Sequence, residues 1–152
     1  MRTEWRALLA IALFASACAA RAACTVSMGN LSFGPYDPLS AAPSTTSGTA
    51  VVSCNEAPPP TVQVQLSPST VSGGFFPRRM RNLLGADTLD YNFYADAGAT
   101  AVWGDGTGGT TAPTQKVTKG SPWSMTFYGR VRPGQDVGPG SYSDTLAITI
   151  VF

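Results

Sequence analysis

The chain of 152 residues contains no histidine. That removes the side chain that most often serves as a general base near neutral pH, and with it the Ser–His and Cys–His nucleophile pairs. There is no G-x-S-x-G elbow either. Charge is sparse: Lys, Arg, Asp and Glu make up 12% of the chain, 10 basic against 9 acidic. Such a balance offers no field for nucleic acid or anionic lipid. The one basic cluster, Arg78, Arg79 and Arg81, reads as solvated arginines in a loop. Asp87, Asp90 and Asp96 form no close carboxylate pair, since Asp90 and Asp96 would stand about 20 Å apart along a strand. Asp105 in WGDGTGG lacks the further spaced acids of a calcium loop and reads as a tight turn. Helical periodicity is nearly missing, because Gly and Pro recur every few residues in PYDP, APPP, SGG, GDGTGG and GPG. Neither an enzyme nor a cofactor is expected.

What is present begins with a leader. MRTEWRALLAIALFASACAARAA carries Arg2 and Arg6, an apolar run over 7–17, and small residues ending in Ala20-Arg21-Ala22. The run is shorter than the roughly 20 residues of a membrane-spanning helix. This is the pattern of a secretory signal peptide cleaved between Ala22 and Ala23. Residues 1–22 are therefore expected to be the leader and 23–152 one exported domain, passing through the periplasm to the cell surface or beyond. A lipid anchor on Cys18 ranks low, because Ala15 stands where such sites usually carry leucine.

Removing the leader takes away Arg2, Arg6, Arg21, Glu4 and Cys18, leaving 7 basic and 8 acidic residues. Cys24 and Cys54 remain. An even pair in an exported chain points to a disulfide. It would close a loop of 30 residues, which the chain-entropy model values at roughly 3–4 kcal/mol. A metal site is the competing use of these thiols. It lacks further Cys or His ligands.

Between the Gly/Pro breaks lie short runs of period-two alternation. TVQVQLS sets Val62, Val64 and Leu66 on one face, LDYNFYA sets Leu89, Tyr91 and Phe93, and WSMTFYGRV sets Trp123, Met125 and Phe127. TAVVSC and CTVSMGNLSFG supply two more strands, one holding each cysteine, and others fall near Leu83 and Val117. Residues 40–48 and 104–113 read as loops. Six or seven strands, each with one apolar face, predict an all-β, antiparallel sandwich. The cleanest strand is the last, SYSDTLAITIVF, with Tyr142, Leu146, Ile148, Ile150 and Phe152 on one face. A long apolar edge strand is an aggregation hazard, so something is expected to cover it. Phe75, Phe76 and Trp103 stand beside glycines rather than in alternating runs. They read as exposed contacts at one tip of the sandwich, or else as loops folded back over its ends.

FGPYDP, RRM, LDYNFYAD, WGDG and GRVRPGQDVGPGSYSDTLAITIVF, in that order and with a cysteine at each end of the first third, closely resemble the spore coat protein U domain. That domain is shared with pilus subunits of the archaic chaperone–usher pathway. The resemblance spans Cys24 to Phe152. It implies an immunoglobulin-like sandwich lacking its seventh strand, with Leu146, Ile148, Ile150 and Phe152 flooring or bordering a groove. A periplasmic chaperone fills such a groove first, and the extension of a neighbouring subunit fills it in the fibre after passage through an outer-membrane usher. Filling it takes about nine or ten residues at 3.3 Å each. Only Ala23 would precede Cys24 after cleavage, so the resemblance implies an acceptor that does not donate, as at a fibre tip or in a coat. Its target would be an abiotic surface or a glycan.

Two other classes compete. A terminal Phe on an alternating strand also resembles the insertion signal of an outer-membrane β-barrel, which needs at least eight strands of about 9–11 residues. A secreted carbohydrate-binding module would use Trp103 as its platform. Within the favoured class, a final strand fully paired inside a complete sandwich is the competing arrangement.

Overall fold

The computed structural model describes residues 24–152; the leader, Cys18 and the Ala22–Ala23 junction lie outside the described residues. Nine strands follow in order: β1 (Cys24–Met28), β2 (Ser44–Cys54), β3 (Thr61–Leu66), β4 (Arg78–Asn82), β5 (Thr88–Tyr94), β6 (Thr114–Lys116), β7 (Trp123–Val131), β8 (Tyr142–Ser143) and β9 (Ile148–Val151). They form two antiparallel sheets, a larger one ordered β1-β2-β7-β5-β4-β8 and a smaller one ordered β6-β3-β9. This two-sheet architecture sets the membrane barrel aside.

The alternating runs place the core where their parity requires. Val62, Val64 and Leu66 of β3 are buried, as are Ala50, Val52 and Cys54 of β2 and Met125, Phe127 and Val131 of β7. Cys24 and Cys54 face each other in the β1–β2 register and are joined by a disulfide. Strand β2 runs further back than expected and takes in much of 40–48. Its β-branched Thr45, Thr46 and Thr49 pair along β7, from Ser44 opposite Val131 to Val52 opposite Trp123. The glycine-rich stretch after Trp103 is the expected turn. Asp105 accepts bonds from the Thr107 backbone N–H and hydroxyl at 2.8 and 2.7 Å, and these bonds hold its carboxyl below the usual range, the backbone one most of all.

Two expectations are corrected here. The arginine cluster lies in strand β4, not in a loop, and although Arg79 and Arg81 are exposed, Arg78 is wholly buried. Its guanidinium donates to the Ser67 carbonyl from Nε and Nη2 (3.1 and 2.8 Å), to the Trp103 carbonyl (2.8 Å) and to Asn92 Oδ1 (2.6 Å). The Phe75 ring lies over it, 5.1 Å from Cζ to the centroid. Burial lowers its pKa to about 10, with Tyr91 and Asp144 opposing that shift, so the group stays charged at neutral pH. The second correction concerns the C-terminal run, which is not one strand. It pairs with β4 as β8 and with β3 as β9, leaving the larger sheet for the smaller between them. Asp144 makes the corner. Its carboxylate accepts bonds from the Thr70 N–H and hydroxyl (3.2 and 2.7 Å), the Thr145 N–H (2.8 Å) and the Tyr91 hydroxyl (2.8 Å). An inward aspartate so occupied cannot continue a two-stranded ladder.

Replacing both Cys24 and Cys54 with serine is expected to lower stability by roughly 3–4 kcal/mol; an unchanged urea midpoint would show that the loop is held by other means. Arg78→Met leaves the Ser67 and Trp103 carbonyls without their donor, at about 1–3 kcal/mol each, while Asn92 Oδ1 keeps the Phe93 N–H at 3.0 Å. The expected loss is at least about 2 kcal/mol. Arg78→Lys should rescue little of it, since one ammonium lacks the planar fork that reaches all three acceptors.

Candidate functional site

The segment after β1 does not enter either sheet. Residues 29–43 have no strand partner among the described residues, yet Leu31, Phe33 and Tyr36 turn inward and are half-buried against the core. Facing this segment, residues 137–146 carry Val137, Tyr142 and Leu146, also half-buried. Between the two walls runs an open groove. A cavity of 320 Å³ lies between Met28–Phe33 and Tyr142–Leu146. It continues into one of 610 Å³ between Leu31–Pro38 and Val137–Tyr142, and the two share Leu31, Phe33, Met80 and Tyr142.

The floor is aromatic. Phe33 stacks on Phe93 (centroids 6.0 Å apart, planes at 22°) and meets Tyr91 edge-on at 5.8 Å. Phe93 meets Phe127 at 5.7 Å, and Phe127 meets Trp103 at 5.1 Å. These contacts come from four separate parts of the chain. Gly129 leaves room for the Phe33–Phe93 stack: a Cβ there would lie 2.8 Å from Phe33 and 2.9 Å from Phe93. Burial, then the hydrogen bond to Asp144, pushes the Tyr91 hydroxyl well above its ordinary range. Tyr91 therefore stays a neutral donor beneath the groove.

The expected groove residues divide. Tyr142 and Leu146 line the groove. Ile148 and Ile150 lie beyond it in β9, half-buried against the core opposite Leu66 and Val64. Phe152 follows the end of β9 and is 53% exposed, because nothing among the described residues packs over the chain's last side chain. Strand β9 is an edge strand, hydrogen-bonded among the described strands to β3 alone, with β1 near its other side.

The three tip candidates also separate. Trp103 is fully buried, which corrects both the tip and the sugar-platform expectations. Its Nε1–H donates to the Val64 carbonyl at 3.0 Å. Gly104 lets the following loop fold so close that a Cβ would meet Thr110 at 2.5 Å. Phe75 is half-buried over Arg78. Phe76 alone stands out, 58% exposed. Leu31 and Phe33 fell within the strand expected over CTVSMGNLSFG, which ends at Met28, and neither they nor Asp144 was expected at the site. The first two have the alternation of a short strand without a strand's partner, and Asp144 carries the inward parity of its run despite its charge.

Comparison with known proteins agrees with this geometry. The model of the Spore Coat Protein U domain family matches residues 10–149. Protein U of Myxococcus xanthus is 36% identical over 132 residues, which cover 82% of this chain and 72% of that protein. Among solved structures, the chain is similar to one in the CsuC–CsuE chaperone–tip adhesion subunit pre-assembly complex from archaic chaperone–usher Csu pili of Acinetobacter baumannii. The TM-score is 0.61 at 14% identity, over 85% of this chain but only 39% of that one. It is also similar to the P pilus rod subunit PapA, with a TM-score of 0.55 at 14% identity, over 86% of this chain and 99% of that one. At such identities the likeness is one of fold, the immunoglobulin-like sandwich of pilin subunits. On the match to its domain and the identity to Protein U, the chain belongs to the Spore Coat Protein U domain family.

Proposed function

We propose that this chain is an exported structural or adhesive subunit of a surface pilus or coat, completed by a β-strand from another chain. The observation that carries the reading is the groove. Its two walls run side by side without pairing, over a floor of core aromatics. A strand laid between them would satisfy backbone groups on both sides, and every second side chain would enter the groove. That is β-strand addition. The solved relatives come from pilus assemblies, one of them caught with its chaperone. The partners in this reading are a periplasmic chaperone, an outer-membrane usher and neighbouring subunits; the role is structural rather than catalytic.

The finer part of the proposal concerns position. With the leader cleaved after Ala22, one residue would precede Cys24, too little to fill a neighbour's groove. The subunit would then accept a strand without donating one, as at a fibre tip, where Phe76 is the candidate contact with an abiotic surface or glycan.

Fusing a strand of about ten alternating valines and threonines after Phe152, through a flexible linker, is expected to raise the melting temperature by about 10 °C or more and to keep the domain monomeric. Leu146→Asp should abolish that gain, because an unpaired charge buried under the added strand costs several kcal/mol. An unfused domain that is monomeric, highly stable and indifferent to the fusion would mean the sandwich is already complete. N-terminal sequencing of exported protein should begin at Ala23. A start well upstream would restore a donor segment and remove the non-donating role.

A further inference from the structure

We infer that the Tyr36 hydroxyl and Gln135 form a latch across one end of the groove, which stops an incoming strand and so sets the register in which it pairs. The inference rests on the strand-addition reading above. Tyr36 belongs to one wall, and Gln135 lies just before the other. The Tyr36 hydroxyl donates to the Arg132 carbonyl at 3.1 Å and accepts from the Gln135 N–H at 2.8 Å. These bonds join residues 96 and 99 positions apart in sequence.

The latch is anchored, not loose. Gln135 Oε1 accepts from the Asp90 N–H at 2.7 Å, and its Nε2 donates to the Asp90 carbonyl at 2.9 Å and the Arg132 carbonyl at 3.0 Å. The amide thus pairs with both backbone groups of Asp90, as a neighbouring strand would. The Asp90 carboxylate is in turn held by Arg79 (2.9 Å) and Arg132 (3.0 Å). At the opposite end, among the described residues, no side-chain bond joins Met28 to Leu146, and Met28 is 38% exposed. One end is bridged by hydrogen bonds; at the other, among the described residues, β1 and β9 approach each other through Val26, Ile148 and Ile150 without such a bridge.

Such an asymmetry bears on register. A slip of one residue turns every side chain to the wrong face, but a slip of two restores the pattern. An aromatic floor discriminates weakly between two such placements of a uniform alternating strand. A closed end does discriminate, because the leading residue meets the latch in only one of them.

The test uses the full exported chain carrying Ser141→Cys on one wall. The probe is a peptide of about ten alternating valines and threonines with a single cysteine placed at each threonine position in turn. One peptide position is expected to dominate disulfide cross-linking. Tyr36→Phe removes the hydroxyl and keeps the ring. It should lower the ratio of the main register to the one two residues away by roughly tenfold. Gln135→Leu should do the same, and serves if circular dichroism shows Tyr36→Phe unfolded. A single register retained in both variants, or several registers with the latch intact, would overturn the latch and leave strand addition standing. No cross-link at any position would overturn strand addition, and the latch with it.

Discussion

The Arg78 guanidinium crosses between the sheets, and the rest of the sandwich is arranged around that crossing. It leaves β4 of the larger sheet and ends on the carbonyl of Ser67, directly after β3 of the smaller one, and on that of Trp103, in the loop that covers β3. Among the described residues no carboxylate is bonded to it. A buried cation held by neutral acceptors is costly unless each donor is aimed, so the acceptors must be fixed first. Ser67 is fixed by Ala147, its N–H bonding the Ala147 carbonyl and its hydroxyl receiving the Ala147 N–H, both at 2.9 Å. Trp103 is fixed by Phe93 and Val64. The cation therefore joins the larger sheet, the smaller sheet and the C-terminal segment in one network.

That network explains how a groove can stay open beside a packed core. The sheets are fastened through their middle by Arg78, while the Cys24–Cys54 bond ties β1 to β2 within the larger one. Closure of the remaining seam is not needed to hold them. The walls are positioned from outside as well, one of them by the short β4–β8 ladder and both by side chains. Asp144 grips Thr70 and Tyr91, and Tyr36 grips Arg132 and Gln135. Side-chain tethers place a segment while leaving its inward backbone edge available. A ladder between the two walls themselves would have consumed the groups that an added strand requires.

The parts of this architecture legible in the sequence were those governed by local alternation. Val62, Val64 and Leu66, or Met125 and Phe127, reveal their face because period two survives within one strand. The disulfide was legible because composition left few alternatives. What alternation could not reveal was which sheet a residue joins. SYSDTLAITIVF keeps its parity from Tyr142 to Ile150 and still changes sheets at Asp144, because parity records only inside and outside. Arg78 was misread for a related reason: a cation is assigned to solvent unless its acceptors are known, and those acceptors lie 11, 14 and 25 residues away. Trp103 was misread because the glycines that follow it suggested exposure, whereas their lack of side chains is what lets the loop close over the indole.

The groove itself was legible only as an implication of resemblance, and the physical reason is instructive. One wall, 29–38, has the apolar spacing of Leu31 and Phe33 but the turn residues of GPYDP. Local signals alone do not separate a short strand awaiting a partner from a loop. The distinction depends on what lies opposite, and here that is 137–146, itself split by Asp144. A site made from two incomplete strands carries half its pattern in each, and neither half reaches the length at which alternation becomes decisive. The motifs FGPYDP and RPGQ become intelligible once they are brought together. Tyr36 and Gln135 are polar residues in segments otherwise rich in glycine and proline; the Tyr36 hydroxyl bonds the Gln135 N–H, and the Gln135 side chain bonds the Asp90 backbone. Their pairing makes two irregular segments into the fixed rim of a strand-shaped gap.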